Sequence, residues 1–447
     1  MSMKTDWQTF TRHGAGPLVL AVLAFSAVAM GQEPSKDPKV VFAKTQTAPT
    51  KRSDKTYVVA ATTGRDSNPG TAAKPFKTIQ HAVDLAIAGD TVLVKDGMYH
   101  EEAVPQQAGV QFRNSGAPDA WIRVKAYPKC RPHVTSPTWG TLRLTDVAYI
   151  EVSGFDVTTE MVQGQTDPNF QRNEGNGINI ERSHHILVRN NVVHDCGGGG
   201  ISTAFSDYLT VEGNDACRNS FFSIYNCSGI SLWEGVDFDE APGFHNVIRG
   251  NRSWENENKG PTPLTDHKLT DGNGIIIDGM NGKGAILIEN NLCWNNGGRG
   301  IQVFHARNVL IRNNTCAWNE RTPESESMGP PSDLRAVNSD DCVFDNNIVL
   351  ARPKQEFRDN WQANNIRYSN NMLFGYDKVF PGIVDGNILG VDPMFKHAVL
   401  GQGMPDFRLM PKSPAIGKAI PGSFPAVDFN GKPRPKIIPA DLGAIEH

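Results

Sequence analysis

The sequence predicts an all-β protein built as a single-stranded right-handed parallel β-helix, and three observations carry that prediction. First, a Gly-Ile phrase recurs at Gly177-Ile178, Gly200-Ile201, Gly229-Ile230, Gly274-Ile275 and Gly300-Ile301. Second, each copy is followed by alternating aliphatics that end on an asparagine: Asn191, Asn214, Asn251, Asn291 and Asn314, with weaker copies at Asn347 and Asn371. These asparagines are 23, 37, 40, 23, 33 and 24 residues apart. The short spacing is one turn of a solenoid, and the long spacings are that turn plus a loop. Third, 43 glycines and 29 prolines in 447 residues exceed ordinary usage, while aromatics are only 8%. Short strands with period-two alternation cannot bury their apolar side alone, so the units must stack. The Leu-x-x-Leu-x-Leu pattern of leucine-rich repeats is absent, and propeller blades need about 40 residues with another signature.

The elements follow in order. Residues 1–31 read as a secretory signal peptide: Lys4 and Arg12 precede an apolar stretch from Pro17 to Met30, with Ala27-Val28-Ala29 before the cleavage point. The protein is therefore expected to be secreted or periplasmic, with no membrane contact after cleavage. Residues 32–54 are polar and aperiodic and read as a flexible leader. Residues 55–385 form the β-helix with its N-terminal cap. There, Thr78 to Ile87 places Ile79, Val83, Ala86 and Ile87 on one helical face to cover the open end of the stack. The asparagine column is structural: asparagine suits a left-handed bend and can hydrogen-bond its stacked neighbour. Cys293 and Cys316 each lie two residues past a column asparagine, the place held elsewhere by Val193, Ala216 and Ser253, so they read as small buried hydrophobes. Trp254, Trp294 and Trp318 follow the column and are expected to pack rather than bind. Residues 386–447 lack the repeat and are expected to fold back along the helix or cover its end. A net charge of −4 argues against a nucleic-acid partner, and a monomer is expected.

Two further phrases carry a resemblance. The opening runs Asp66-Ser67-Asn68-Pro69-Gly70-Thr71, Lys74-Pro75-Phe76-Lys77-Thr78-Ile79-Gln80 and Gly89-Asp90-Thr91-Val92. The ending runs Ser413-Pro414-Ala415-Ile416-Gly417, Gly431-Lys432-Pro433-Arg434-Pro435 and Asp441-Leu442-Gly443-Ala444. With the repeat between them, the chain resembles the secreted β-helix proteins of the pectate lyase superfamily, and in layout the polysaccharide lyases of family 9. The resemblance implies action on an acidic polysaccharide, commonly with calcium. Family 9 lyases carry an Asp-Asp-Gly-x-Asp type run where this chain has Asp271-Gly272-Asn273-Gly274. Their base is a lysine on the following coil, where this register puts Gln302.

The candidate site lies beside the Gly-Ile strands, whose outward positions include Glu181, Trp233, Asp278, Gln302 and Phe304. Two insertions flank the middle of this column, Glu234 to His245 and Glu257 to Asn273, and they account for the two longest spacings. Abstracting the proton beside a uronate carboxylate requires that carboxylate to be neutralised and a base to be placed on the carbon. Asp237, Asp239, Glu240, Asp271 and Asp278 could hold a Ca2+ ion if the two loops meet. Lys268, His267, Arg299 and His305 are the candidate bases, and Trp233, Glu181, Gln302 and Phe304 the candidate sugar contacts. The expected function is a secreted lyase that cleaves a uronic-acid-containing, pectate-like polymer by calcium-assisted β-elimination. Two alternatives stay open. One is a hydrolase or uronate epimerase on the same scaffold, with Asp278 paired to Asp239 or Glu181. The other is a non-catalytic carbohydrate-binding surface protein.

Overall fold

A computed structural model describes residues 38–42, 51–100, 109–160, 175–222, 227–260, 269–280, 282–322, 332–357, 360–361, 363–379, 386–436 and 438–447. Residues 1–31, read above as a signal peptide, lie outside them. Three long parallel sheets run along the coil axis. The first has nine strands and contains the Gly-Ile strands, such as Ile201–Ala204, Ile230–Trp233, Ile275–Asp278 and Ile301–Phe304. The second and third have eleven each, with strands such as Asp207–Glu212 and Asp215–Cys217. Each coil contributes one strand to each sheet, which is the predicted right-handed β-helix.

The register explains the Gly-Ile phrase. Ile178, Ile201, Ile230, Ile275, Ile301 and Leu334 are mutual partners along the first sheet and are all buried. They form one apolar column of the core. The glycine before each isoleucine is required by crowding. A Cβ on Gly229 would lie 2.4 Å from Asn256 Nδ2, and one on Gly300 would lie 2.8 Å from Cys316 Sγ.

The asparagine column forms a continuous ladder from Asn191 to Asn387, each Nδ2 donating to the next Oδ1 at 2.9–3.0 Å. The left-handed bend, however, belongs to the residue before: Asn190, Gly213, Gly250, Asn290, Asn313, Asn346 and Asn370 have φ between 51° and 64°. The two tasks assigned to one residue in the sequence are divided between neighbours. A second ladder runs five residues further on, through Asn219, Asn256, Asn296 and Asn319 to Asp333. Cys293 and Cys316 are register partners, both buried and unpaired, between Ser253 and Val349.

The ends are covered as expected, with differences in detail. The cap helix is Ile79–Leu85, ending before Ala86 and Ile87. Thr78 is its N-cap, accepting from the His81 amide at 3.2 Å, while the Asp66 carboxylate takes the amides of Lys77 and Thr78. The C-terminal segment folds back along the third sheet. Phe395, Phe407, Leu409, Leu442 and Ile445 pack on Leu292, Trp294, Ile348, Leu350 and Met372. Trp254 and Trp294 stack face to face at 4.8 Å with Phe407 against Trp294, a packing role as expected. Within the stretch read as a leader, Pro38–Val41 is a single helical turn, and Val41 and Phe42 are buried against Phe205 and Val236. This part of the leader is docked on the body.

Candidate active site at the exit of the first sheet

Strands of the first sheet end at a corner where two rows of side chains meet. In the first row, Trp233, Asp278 and Phe304 are register partners on three adjacent strands, about 4.8 Å apart. In the second row, the next residues are Glu234, Gly279 and His305, which all turn the chain with φ of 48°, 63° and 49°. A residue with a side chain at Gly279 would put its Cβ 3.2 Å from Glu234 Oε1. The glycine therefore lets the Glu234 carboxylate lie over the chain at this position, with His305 on the next strand and the partly exposed Asp278 one residue before it, while the Trp233 ring packs edge-on to Phe205.

Electrostatics separate the titratable groups of this corner. Burial, together with the charges of Asp271 and Glu234, pushes Asp278 up to about 8, so it holds a proton at neutral pH. Burial also raises Asp271, to about 6, against the opposing effects of the Thr270 hydroxyl, Arg299 and Asn273. His305 is lowered by desolvation, opposed by the Glu234 charge, so it is a neutral imidazole at neutral pH. Its Nε2 lies 3.1 Å from Asn338 Nδ2 and its ring stands edge-on to Phe304 at 4.2 Å. A protonated carboxyl and a neutral imidazole thus share one corner, an arrangement that can donate and accept protons.

The structure divides the proposed calcium set in two. Asp271 and Asp278 belong to the corner just described. Asp237, Asp239 and Glu240 lie on the loop that leads into the second sheet, and there protein groups already engage the two aspartates. Asp237 accepts the amides of Lys283 and Gly284 at 2.6 and 3.0 Å. Asp239 accepts the Tyr208 hydroxyl at 2.7 Å, and Glu240 is exposed. Asp207, Asp237 and His245 do lie with ligand atoms within 4.8 Å of one another. Yet His245 faces the Asp207 carboxylate and the Ala241 carbonyl through its two ring nitrogens, each at 2.8 Å. That needs the imidazolium. Burial opposes the charge, but the Ala241 carbonyl and Asp207 raise His245 above its ordinary value. A doubly donating imidazolium has no lone pair for a metal. The five carboxylates therefore do not fit one calcium ion.

Other expected contacts are also relocated. Glu181 is 5% exposed and paired with Arg143 and Arg182. Gln302 is 4% exposed and accepts from Arg299 Nη1 at 3.2 Å. Arg299 itself is buried, its Nε 3.4 Å from Glu320. All three are buried at their coils. Asp271 has φ 61° and its carboxylate accepts from Thr270 and Asn273, so it shapes the turn as well as charging the corner. His267 and Lys268 lie outside the described residues. Of the expected set, the structure brings Trp233, Asp278, Phe304 and His305 together, with Asp271 close enough to act on Asp278. Glu234 was missed as a site residue, although it stands one residue past its strand just as His305 does.

With that geometry in place, comparisons with known proteins define the class. Residues 56–261 match the family model described as the Pel9A-like right-handed β-helix region. Among solved structures, pectate lyase Pel9A superposes with a TM-score of 0.53 at 18% identity, covering 90% of this chain and 97% of that one. A rhamnogalacturonan lyase gives a TM-score of 0.48 at 19% identity over 71% of this chain and 87% of that one. The uncharacterized protein YwoF of Bacillus subtilis (strain 168) is 40% identical over 63 residues, 13% of this chain. The chain spans only 14% of that relative's length. The protein has a right-handed parallel β-helix fold, and its residues 56–261 are similar to the Pel9A-like β-helix region. Among the described residues no helix is long and apolar enough to cross a membrane.

Proposed function

We propose that the protein is a secreted enzyme that cleaves a uronic-acid-containing polysaccharide by β-elimination at the Asp278 corner. The observation that carries this reading is Asp278, held protonated near neutral pH between Trp233 and Phe304, beside a neutral His305 on the next strand. A protonated carboxyl can donate a hydrogen bond to the uronate carboxylate as negative charge builds on it, the role other enzymes give to an acid kept neutral in an apolar site. His305, once its Nε2 exchanges the hydrogen bond it accepts from the Asn338 amide for the substrate, takes the proton from the carbon beside that carboxylate. The carbon–oxygen bond to the departing sugar breaks, a carbon–carbon double bond forms, and the imidazolium returns the proton to the leaving oxygen. Trp233 and Phe304 give the sugar rings apolar faces to rest on.

A second reading has its own support. Asp278 protonated and Glu234 beside it form an acid–base carboxyl pair, which would serve hydrolysis. The Asp278 pairings with Asp239 or Glu181 lose ground, since those carboxylates are bound to Tyr208 and to arginines.

The test is the pH dependence of the rate. Activity is expected to fall as pH rises through about 8, where Asp278 loses its proton. Asp278→Asn, which keeps a donor but cannot ionise, should abolish that upper limb. An unchanged upper limb in Asp278→Asn would remove Asp278 from the mechanism.

A further inference from the structure

The second sheet carries a groove that the corner site does not use. It encloses about 670 Å³, and its walls are the loop from Asp237 to His245 on one side and the C-terminal segment at Ser423 on the other. Its floor is made by outward residues of successive coils. Leu310 and Val343 are register partners, both partly exposed. At the mouth Phe244 is 43% exposed, an uncommon place for a large aromatic side chain. Lys283 is also exposed at the rim, where its carbonyl is held by Asn308 Nδ2 at 2.9 Å.

Three properties identify the occupant. The floor offers an apolar step on two adjacent coils, Leu310 and Val343, before Arg367 on the next, and the coil spacing of about 4.8 Å is on the order of one sugar unit. An aliphatic strip ending in an exposed ring suits the C–H face of a pyranose. The lining is acidic: Asp237, Asp239, Glu240 and Asp341 stand against Lys283 and Arg367, and Arg367 is paired with the buried Asp345. Carboxylates accept hydrogen bonds from sugar hydroxyls but repel the carboxylates of a polyuronate.

We propose that this groove binds a short, neutral, hydroxyl-rich oligosaccharide, separately from the corner that faces acidic sugar. A polymer with both uronate and neutral stretches would then be held at two faces of the same β-helix.

The experiment is titration calorimetry of the full chain with neutral oligosaccharides (galactan, arabinan and xylan fragments) and, in parallel, with oligogalacturonate. Phe244→Ala and Leu310→Ser are compared with wild type, with circular dichroism to confirm folding. The expected result is binding of at least one neutral oligosaccharide, weakened tenfold or more in both variants. Binding of oligogalacturonate should be unchanged in them, and so should any cleavage of it. No heat from any neutral oligosaccharide overturns the proposal. So does neutral binding that Phe244→Ala and Leu310→Ser leave intact, or oligogalacturonate binding that those two variants abolish. The result is independent of whether Asp278 is catalytic, because no residue of that corner is altered.

Discussion

Asp278 holds its proton where an ordinary aspartate would have lost it, and that has a thermodynamic consequence. Its folded pKa, about 8, lies well above that of an ordinary aspartate, so the folded state binds this proton more tightly than the unfolded chain does. The stability it contributes is complete below about pH 4 and is lost as pH rises toward 8. Asp278→Asn is therefore expected to raise Tm at pH 7, by roughly 2 °C or more, while lowering activity. A thermal melt of the two proteins at pH 4 and pH 7 checks this, since the gain should shrink at the lower pH. His194 behaves in the opposite way to a strained site. Hydrogen bonds that it donates to Asp156 and Asp195 raise it to about 9, so its contribution is complete below about pH 6.5 and disappears as pH rises through 9. His194→Gln should lower Tm at pH 6 and have a much smaller effect at pH 10. At this scale the sequence was only partly readable. Trp233, Asp278, Phe304 and His305 could be placed because the outward positions of a repeat follow from its period. Glu234 could not, because it stands two strands from His305 and its role depends on the missing side chain of Gly279 between them. Nor could the fate of Asp237 and Asp239, which depends on amides and a hydroxyl that only the folded loop brings to them.

Among the elements, the asparagine ladder is the one whose energetics are simplest to state. Asn251 accepts from the Asn214 amide and side chain and donates to the Val211 carbonyl and to Asn291. All of these groups are buried, so Asn251→Ala leaves several without partners. A loss of about 3 kcal/mol is expected in denaturant titration, and Asn251→Asp should be no milder, because its second oxygen would face the Val211 carbonyl and Asn291 Oδ1 in a buried site. The strand repeat and the ladder were legible because each coil repeats the same physical problem with nearly the same residues. The second ladder was equally periodic, five residues past the first, but its members are interspersed with Cys196 and were not recognised as a series. The docked turn at Pro38–Val41 was illegible for another reason. Four residues carry no period, and only Val41 and Phe42 meeting Phe205 and Val236 give the segment a place.

The molecule as a whole works as a rod whose lateral faces are put to different uses. The third sheet is closed by the C-terminal segment, so removing residues 391–447 should expose Trp294, Leu350 and Met372 and yield a protein that aggregates or melts well below the full chain. The second sheet carries the acidic groove, and the exit of the first sheet carries the Asp278 corner. The central claim is that this corner eliminates across a uronate linkage. The most direct measurement is to incubate the wild-type protein and Asp278→Asn with pectate, alginate and related polyuronates, with and without calcium, and to follow the ultraviolet absorbance of unsaturated product. The account predicts unsaturated oligosaccharides from at least one polymer and a rate about 10²-fold or more lower in the variant. Saturated products alone, no product from any polyuronate, or an Asp278→Asn protein as fast as wild type would contradict it.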